Sequence, residues 1–320
     1  MIPATHLSGG APGAFVAVDW GTSSIRSWLM SVDGEALAEN RGGEGMLHCI
    51  RTGFAPVLRD QLVTLGAPDG TPVLICGMAG ARQGWAEAPY LKVPTRLEAL
   101  HEGALRIDAP GDIRILPGIA QARPDRPDVM RGEETQLLGV TEPDFTGLVC
   151  IPGTHSKWIR IEGGSIVEFS TYMTGELYAV IAQHSLLAHA VETEGPAPMD
   201  SQPFREGFSI ALAAPTALTA SLFRLRAAQL LAFEQRADGA ARLSGLLIGT
   251  ELADALDRHG LRGSAPLRSV RLIGAGALGR LYEAALTGRG LDVTTVDAEQ
   301  ASRLGLAKAA TRIWGPLRGA

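Results

Sequence analysis

The chain has 320 residues, enough for two packed domains if each takes roughly 100–200 residues. Hydrophobic residues make up 46% and charged residues 20%, the balance of a globular enzyme and not of a disordered or fibrous chain. A net charge of −5, with Lys and Arg scattered singly or in pairs, excludes the basic footprint of a nucleic-acid binder.

In chain order, residues 1–13 read as a short polar leader without the basic and apolar regions of a secretion signal. No apolar run approaches the ~20 residues of a membrane span, so a cytoplasmic protein is expected. Cys49, Cys76 and Cys150 are far apart and lack metal-ligand spacing, which argues for reduced thiols without disulfides or structural zinc. Residues 14–18 form a short apolar strand running into Asp19-Trp20-Gly21-Thr22-Ser23-Ser24. A second strand, 25–32, reaches Asp33-Gly34, a dipeptide suited to a tight hairpin turn, and a third follows over 36–39. Residues 72–76 read as a buried strand ending in Gly77-Met78-Ala79-Gly80, and 113–116 as another ending at Pro117-Gly118. Met130-Arg131-Gly132-Glu133-Glu134-Thr135 leads into a helix with acidic residues in its first turn.

A strand at 148–151 then meets Pro152-Gly153-Thr154-His155-Ser156, continues as a strand over 157–161 and turns at Gly163-Gly164. Placing Gly21 on Gly153 superposes Thr22 on Thr154 and Ser24 on Ser156, 132 positions apart, with matching flanking strands. Such self-similarity points to duplicated domains, expected at 14–143 and 144–320. Apolar-striped helices are expected over 176–190, 215–237 and 242–259, the last with Gly245 and Gly249 placed for a close helix approach. The chain then runs strand (270–273), glycine turn, helix (278–286), strand (293–296) and helix (298–313). The fold class is α/β, antiparallel meanders joined to parallel β-α-β units.

Asp19-x-Gly21-Thr22-Ser23 suits a phosphate cradle. Gly21 lets backbone approach an anion, the Thr22 and Ser23 hydroxyls can donate to it, and Asp19 can hold a magnesium hydration shell. A polar hairpin turn fits the same residues. In the second copy Pro152 stands where the acid was, so Gly153 and Thr154 keep phosphate contacts without metal; His155 and Lys157 are cationic contacts or solvated loop residues. Gly274-Ala275-Gly276-Ala277-Leu278-Gly279, with Asp297 18 residues beyond, matches a dinucleotide fingerprint and allows an NAD-dependent oxidoreductase. Only 23 residues follow Asp297, too few for the missing strands, so a turn holding an adenosine is the better expectation. Glu133 or Glu134 can take a proton from a substrate hydroxyl, or merely complement a helix N-terminus. Arg26, Arg82 and Arg131 can each fork onto a substrate carboxylate.

The order of these motifs is similar to that of the actin-like ATPase/sugar-kinase superfamily, and within it the chain resembles the 2-dehydro-3-deoxygalactonokinase (2-keto-3-deoxygalactonate kinase) family. The match is carried by Val18-Asp19-Trp20-Gly21-Thr22-Ser23, Gly77-Met78-Ala79-Gly80, Gly84-Trp85 and Ala88-Pro89-Tyr90-Leu91. Further segments are Met130-Arg131-Gly132-Glu133-Glu134-Thr135-Gln136-Leu137, Pro152-Gly153-Thr154-His155-Ser156-Lys157-Trp158, Met173-Thr174-Gly175-Glu176-Leu177 and Ser244-Gly245-Leu246-Leu247-Ile248-Gly249. It runs from about Phe15 to Ala310. The resemblance implies a two-domain actin-like (ribonuclease H-like) kinase with a duplicated β-meander core and ATP in its cleft. The implied reaction phosphorylates the 6-hydroxyl of 2-dehydro-3-deoxy-D-galactonate in galactonate catabolism. It implies Mg2+ at Asp19, and ATP contacts at Gly21, Thr22, Ser23, Gly153, Thr154, His155, Gly274, Ala275, Gly276 and Ala277. Substrate contacts are implied at Arg26, Gly80, Trp85, Arg131, Lys157, Thr174 and Glu176. Related sugar kinases carry an aspartate as base; here Glu133 or Glu134 stands in its place, and Gly274-Ala275-Gly276 replaces a Gly-Gly pair. The implied partners are the sugar acid and ATP, without nucleic acid or membrane, and a homodimer is open. A non-catalytic sensor of a sugar acid is the remaining class; it would carry an appended DNA-binding segment, for which 13 leader residues leave no room.

Overall fold

The run Phe15-Val16-Ala17-Val18 is buried on both faces, the mark of a central strand covered by helices on each side. The structure, a computed structural model, describes residues 5–6, 13–192, 201–260 and 268–315; most of the expected leader lies outside the described residues. The elements are β1 (Thr5–His6), β2 (Gly13–Trp20), β3 (Ile25–Ser31), β4 (Ala36–Gly42), α1 (Met46–Thr52), α2 (Phe54–Leu65), β5 (Val73–Gly77), β6 (Tyr90–Lys92) and β7 (Thr95–Arg96). Then come β8 (Leu105–Arg106), β9 (Ile113–Ile115), β10 (Gly118–Gln121), β11 (Asp128–Met130), α3 (Glu133–Val140), β12 (Gly147–Ile151), β13 (Ser156–Glu162) and β14 (Ser165–Tyr172). The rest are α4 (Thr174–His184), α5 (Gln202–Ala213), α6 (Leu218–Leu230), α7 (Arg236–Arg258), β15 (Ser269–Gly274), α8 (Gly276–Thr287), β16 (Asp292–Asp297) and α9 (Ala298–Trp314).

The chain divides into two compact units. The first takes Met1–Thr146, Ile161–Glu168 and Asp297–Ala320; the second takes Gly147–Arg160 and Phe169–Val296. In the first unit β2, β3 and β4 form an antiparallel meander, and β2 pairs in parallel with β5, which pairs in parallel with β9. The helix α2 buries Phe54, Val57, Leu58, Gln61 and Leu65, one face at helical spacing, and stops at Gly66 with φ of 66°. In the second unit β15 is the parallel partner of β12. The strand orders β5-β2-β3-β4 and β15-β12-β13-β14 are the same, so the duplication read from the two Gly-Thr loops is a duplication of topology.

Some expected helices differ. The stretch 215–237 is not one helix: a short 3-10 turn over Pro215–Ala217 precedes α6, and the chain breaks before α7 at Ala232, whose φ is 57°. Helix α4 ends at His184, where Ser185 accepts from the Leu187 N–H and starts a separate 3-10 turn. Gly245 and Gly249 do permit a close approach: a Cβ on either would press on the Phe204 or Phe208 carbonyl of α5.

Another glycine pair docks α9 onto α3 inside the first unit. A Cβ at Gly139 would overlap the Ala301 carbonyl, and one at Gly305 the Thr135 carbonyl. Since α9 carries Ser302 to Asp19, this contact bears on the candidate site. Gly305→Ala should lower the unfolding free energy by about 2–3 kcal/mol or more, because backbone must move to relieve the overlap. Gly43→Ala, where a Cβ meets nothing within 4 Å, should be near neutral in the same urea titration. Equal midpoints for the two variants would refute the tight α3–α9 crossing.

Candidate functional site

Asp19 lies near the end of β2, opposite Arg26 of β3 and in register with Cys76 of β5. Ser302 Oγ donates to Asp19 Oδ2 at 3.0 Å, and Gln136 Nε2 of α3 donates to Ser302 Oγ at 3.3 Å. Burial pushes the Asp19 carboxyl above its ordinary value; Arg26 and Ser302 pull it down, while Glu133 and Glu299 push it up. Asp19, Arg26 and Glu133 are therefore brought together in one unit.

The loop after β2 is held by its backbone. Gly21 N–H donates to Ser24 O at 2.9 Å, Met46 N–H to Gly21 O at 2.9 Å, and Leu47 N–H to Thr22 O at 3.0 Å. Trp20 Nε1 adds a bond to Glu44 O at 3.0 Å. With its carbonyls turned onto the start of α1, the loop leaves Thr22, Ser23 and Ser24 exposed. At the end of β5, Gly77 has φ of 89°, and a Cβ there would stand 2.6 Å from Trp20 O. Gly132, with φ of 109°, faces Gly77, so the start of α3 meets the ends of β2 and β5.

The two glutamates separate at this point. Glu134 is fully buried, and its carboxylate accepts the Gly132 N–H at 2.8 Å and the Thr135 hydroxyl at 3.2 Å. Burial, and then the charge of Glu133, push its carboxyl up to about 8. Glu133 is only partly buried, with Oε2 accepting the Arg131 N–H at 3.0 Å.

The arginines separate too. Arg82 is exposed, and Arg26 lies 3.9 Å from Glu299. The Arg131 guanidinium stacks 4.3 Å over the Tyr90 ring, and its Nη2 donates to Ala88 O at 2.8 Å. Its Nε and Nη1 are buried without a hydrogen-bond partner. Gly80 borders this group: a Cβ would sit 2.9 Å from Arg131 Nη1. Trp85 stacks on Phe54 at 6.0 Å and meets Trp20 edge-on at 6.1 Å, as part of the first unit's core.

In the second unit the loop 152–155 repeats the arrangement. Glu176 N–H donates to Thr154 O at 3.0 Å, and a Cβ on Gly175 would stand 2.6 Å from Gly153 O. Thr154 and His155 are exposed, and His155 Nε2 meets Glu176 Oε2 at 2.5 Å. Lys157 is not a solvated loop residue; it is buried, with Nζ donating to His155 O at 3.1 Å. The Thr174 hydroxyl donates inward to Glu251. The turn at Gly274 lies beside this loop, since a Cβ there would stand 3.9 Å from Pro152 Cδ and 3.1 Å from Gly279 Cα. Ala275, Gly276 and Ala277 are exposed at the start of α8, with Gly276 at φ of 59°.

Sequence reasoning missed Gly45 and Glu251, and named Gly175 only within a matching segment, with no role. The glycines had a signal, a Gly-x-Leu 24 residues after Gly21 and 22 after Gly153; a lone glutamate inside a helix had none. Two cavities of about 510 Å3 in the first unit are lined by none of the expected site residues. Among the described residues no cluster of three or more His, Cys, Asp or Glu side chains could hold a metal by itself. No single described helix is long and apolar enough to cross a membrane, although the bent pair of α5 and the 215–230 segment passes by length and composition.

The family model described as 2-keto-3-deoxy-galactonokinase matches residues 19–309. The chain belongs to that family. A relative from Rhizobium meliloti (strain 1021), named "Probable 2-dehydro-3-deoxygalactonokinase", is 48% identical over 305 residues, 94% of this chain and 98% of its own. The 2-dehydro-3-deoxygalactonokinase of Escherichia coli (strain K12) is 33% identical over 293 residues, 91% of this chain and 96% of its own. A solved structure of a 2-dehydro-3-deoxygalactonokinase candidate from Sinorhizobium meliloti superposes with a TM-score of 0.89 at 48% identity, covering 94% of this chain and 99% of that one. Component A of the (R)-2-hydroxyglutaryl-CoA dehydratase of Acidaminococcus fermentans shares the fold alone, at a TM-score of 0.51 and 16% identity, covering 93% of this chain and 97% of that one. The 2-keto-3-deoxy-galactonokinase family is one of kinases, and the fold is the actin-like sugar-kinase fold expected from the motifs. The dinucleotide reading finds no support: Asp297 Oδ1 accepts the Glu299 and Gln300 N–H groups at 3.0 and 2.9 Å and so caps α9.

The Glu134 environment sets a pH dependence. Its ordinary value is 4.5 and its folded value about 8, so the stability tied to the neutral carboxyl is full below 4.5 and is lost as pH rises through about 8. Glu134→Gln lacks this loss. Its unfolding free energy should gain on wild type across that window by several kcal/mol, at about 1.4 kcal/mol per tenfold change in proton affinity. Denaturant midpoints that track in parallel across the window would show that Glu134 ionises without cost.

Proposed function

We propose that the enzyme transfers the γ-phosphoryl group of ATP to the 6-hydroxyl of 2-dehydro-3-deoxy-D-galactonate. The observation that carries the substrate class is Arg131: a guanidinium with two buried N–H groups and no partner for either calls for an anion. A sugar-acid carboxylate supplies one as a charged acceptor for such an N–H group. The missing Cβ of Gly80 lets the guanidinium lie close beside it, and the Tyr90 ring holds the guanidinium plane.

In this reading Glu133 is the general base. Its carboxylate takes the proton of the 6-hydroxyl as that oxygen bonds to the γ-phosphorus, the bond to the bridging oxygen breaks, and ADP leaves. Glu134 is unsuited, because it is sealed under Gly132 and favours its neutral form near neutral pH. Gly21, Thr22 and Ser23 from one loop, and Gly153, Thr154 and His155 from the other, would hold phosphate oxygens. The turn Gly274–Ala277 would hold the adenosine. The donor set at Asp19 fits magnesium, which needs only one or two carboxylates when phosphates complete its shell. Bound there, the ion would neutralise charge on the transferring phosphoryl group. Arg26 would hold the Asp19 carboxylate charged. Lys157, Thr174, Glu176 and Trp85 would shape the sites that Gly153, Gly175 and Gly80 border. The reading includes the domain roles expected for 14–143 (first loop and sugar acid) and 144–320 (second loop and adenosine). It also includes a cytoplasmic location, with a homodimer as the self-association to test, and no nucleic-acid or membrane partner; three buried free thiols and a charge of −5 support it.

ADP should form only when ATP, magnesium and the sugar acid are all present. Glu133→Gln should lower kcat by ~10²–10⁴ with nucleotide affinity kept, as loss of a general base does. Asp19→Asn should lower kcat and raise the magnesium requirement together. Arg131→Lys should raise KM for the sugar acid by about 10–100-fold, the worth of a charged hydrogen bond. Normal turnover in Glu133→Gln beside a dead Glu134→Gln would move the base by one residue, and an unchanged sugar-acid KM in Arg131→Lys would remove the carboxylate assignment.

A further inference from the structure

Glu251 lies on α7, far in sequence from either phosphate loop, and is 3% exposed. A carboxylate in such a place is costly unless its oxygens are hydrogen-bonded. Here Trp158 Nε1 donates to Oε1 at 2.8 Å, Tyr282 Oη donates to Oε2 at 2.6 Å, and Thr174 Oγ1 donates to the same Oε2. Ser156 Oγ lies 2.9 Å from Tyr282 Oη. Tyr282 has a single hydroxyl hydrogen, directed at Glu251, so Ser156 is the donor in that last contact.

Each donor stands on a segment that carries part of the second unit's loop cluster. Ser156 and Trp158 begin β13, directly after the loop 152–155. Thr174 opens α4, whose Gly175 rests on Gly153 and whose Glu176 N–H holds Thr154 O. Tyr282 lies on α8, two turns after the Gly274–Ala277 turn that opens it. All these donors are buried, so the network is shut off from water and its geometry is set by the one acceptor they share. Burial pushes the Glu251 carboxyl up, and the hydrogen bonds from Thr174, Tyr282, Trp158 and Ser156 pull it back.

We propose that Glu251 is the positioning residue of the nucleotide half of the site: one buried carboxylate sets the phosphate loop at 152–155 and the adenosine turn at 274–277 relative to each other. The proposal rests on reading those two segments as the ATP contacts. Glu251 touches no substrate; it acts through Ser156, Thr174 and Tyr282. In the first unit the corresponding loop is held instead by Trp20 donating to the Glu44 backbone carbonyl.

The test uses the intact enzyme, with Glu251→Gln and Tyr282→Phe. Gln keeps the shape but offers one acceptor in place of two; Phe keeps the ring and removes one arm. ADP titrated calorimetrically should bind about tenfold more weakly to each variant, the loss expected when hydrogen bonds to a charged group are weakened. KM for ATP should rise with it, KM for the sugar acid should stay within about twofold, and thermal unfolding should remain cooperative. Should Glu251→Gln fail to fold, Tyr282→Phe alone decides. Unchanged ADP affinity in a folded variant overturns the proposal, as does an equal rise in both KM values, which a merely structural role would produce. ADP binding requires no turnover. A wild-type protein that binds ADP yet phosphorylates no sugar acid therefore fails the functional reading alone, and one that binds no ADP fails the reading on which this proposal stands.

Discussion

Each Gly-Thr loop is locked by the backbone of the helix that follows it, and the arrangement of both half-sites depends on that contact. A helix start has N–H groups without intrahelical partners. Here they take the loop carbonyls: Met46 and Leu47 take Gly21 and Thr22, and Glu176 takes Thr154. Those carbonyls are thereby taken up by N–H groups, while the Thr22 and Thr154 side chains stay exposed. The contact works only because Gly45 and Gly175 have no Cβ; one at Gly175 would stand 2.6 Å from Gly153 O. The same device was used twice because the topology was used twice.

Behind the loops, three carboxylates are held in environments that oppose their ionisation, and each resolves the conflict differently. Asp19 has Arg26 and Ser302 to favour its charge. Glu251 has three hydrogen-bond donors. Glu134 has the neighbouring charge of Glu133 against it, and its carboxyl rises to about 8. Identical side chains in adjacent positions, Glu133 and Glu134, thus meet different surroundings because successive helix residues point about 100° apart. One is turned into the unit, the other is left partly exposed.

Much of the architecture was legible in local pattern. The strands β2, β3, β4, β12 and β13 were read with ends within a few residues, since short apolar runs bounded by Gly turns have few other readings. The tight helix crossing at Gly245 and Gly249 was legible from their spacing of four on one helix. The helix expected across 215–237 was not one helix, because periodicity cannot register a single residue such as Ala232 entering positive φ. Helices α1, α2 and α5 went unread; in α2 the buried face is plain only once its partners are known. The dinucleotide fingerprint, already the weaker reading because too few residues follow Asp297, lost its ribose-binding acid once Asp297 was seen to cap α9.

What the sequence by itself determined is the duplication, the fold class, the family and the identity of most candidate side chains. These follow from spacing along the chain, and spacing survives without coordinates. How residues of the same type differ in their surroundings was decided by tertiary structure alone. Arg131 is distinguished from Arg26 and Arg82 by two buried N–H groups without partners, and Glu133 from Glu134 by which one is sealed. Lys157 proved to brace its own loop, and Glu251 emerged as the acceptor joining three distant segments. Burial and hydrogen-bond satisfaction depend on what the rest of the chain brings alongside, and no residue carries that information in its own neighbourhood.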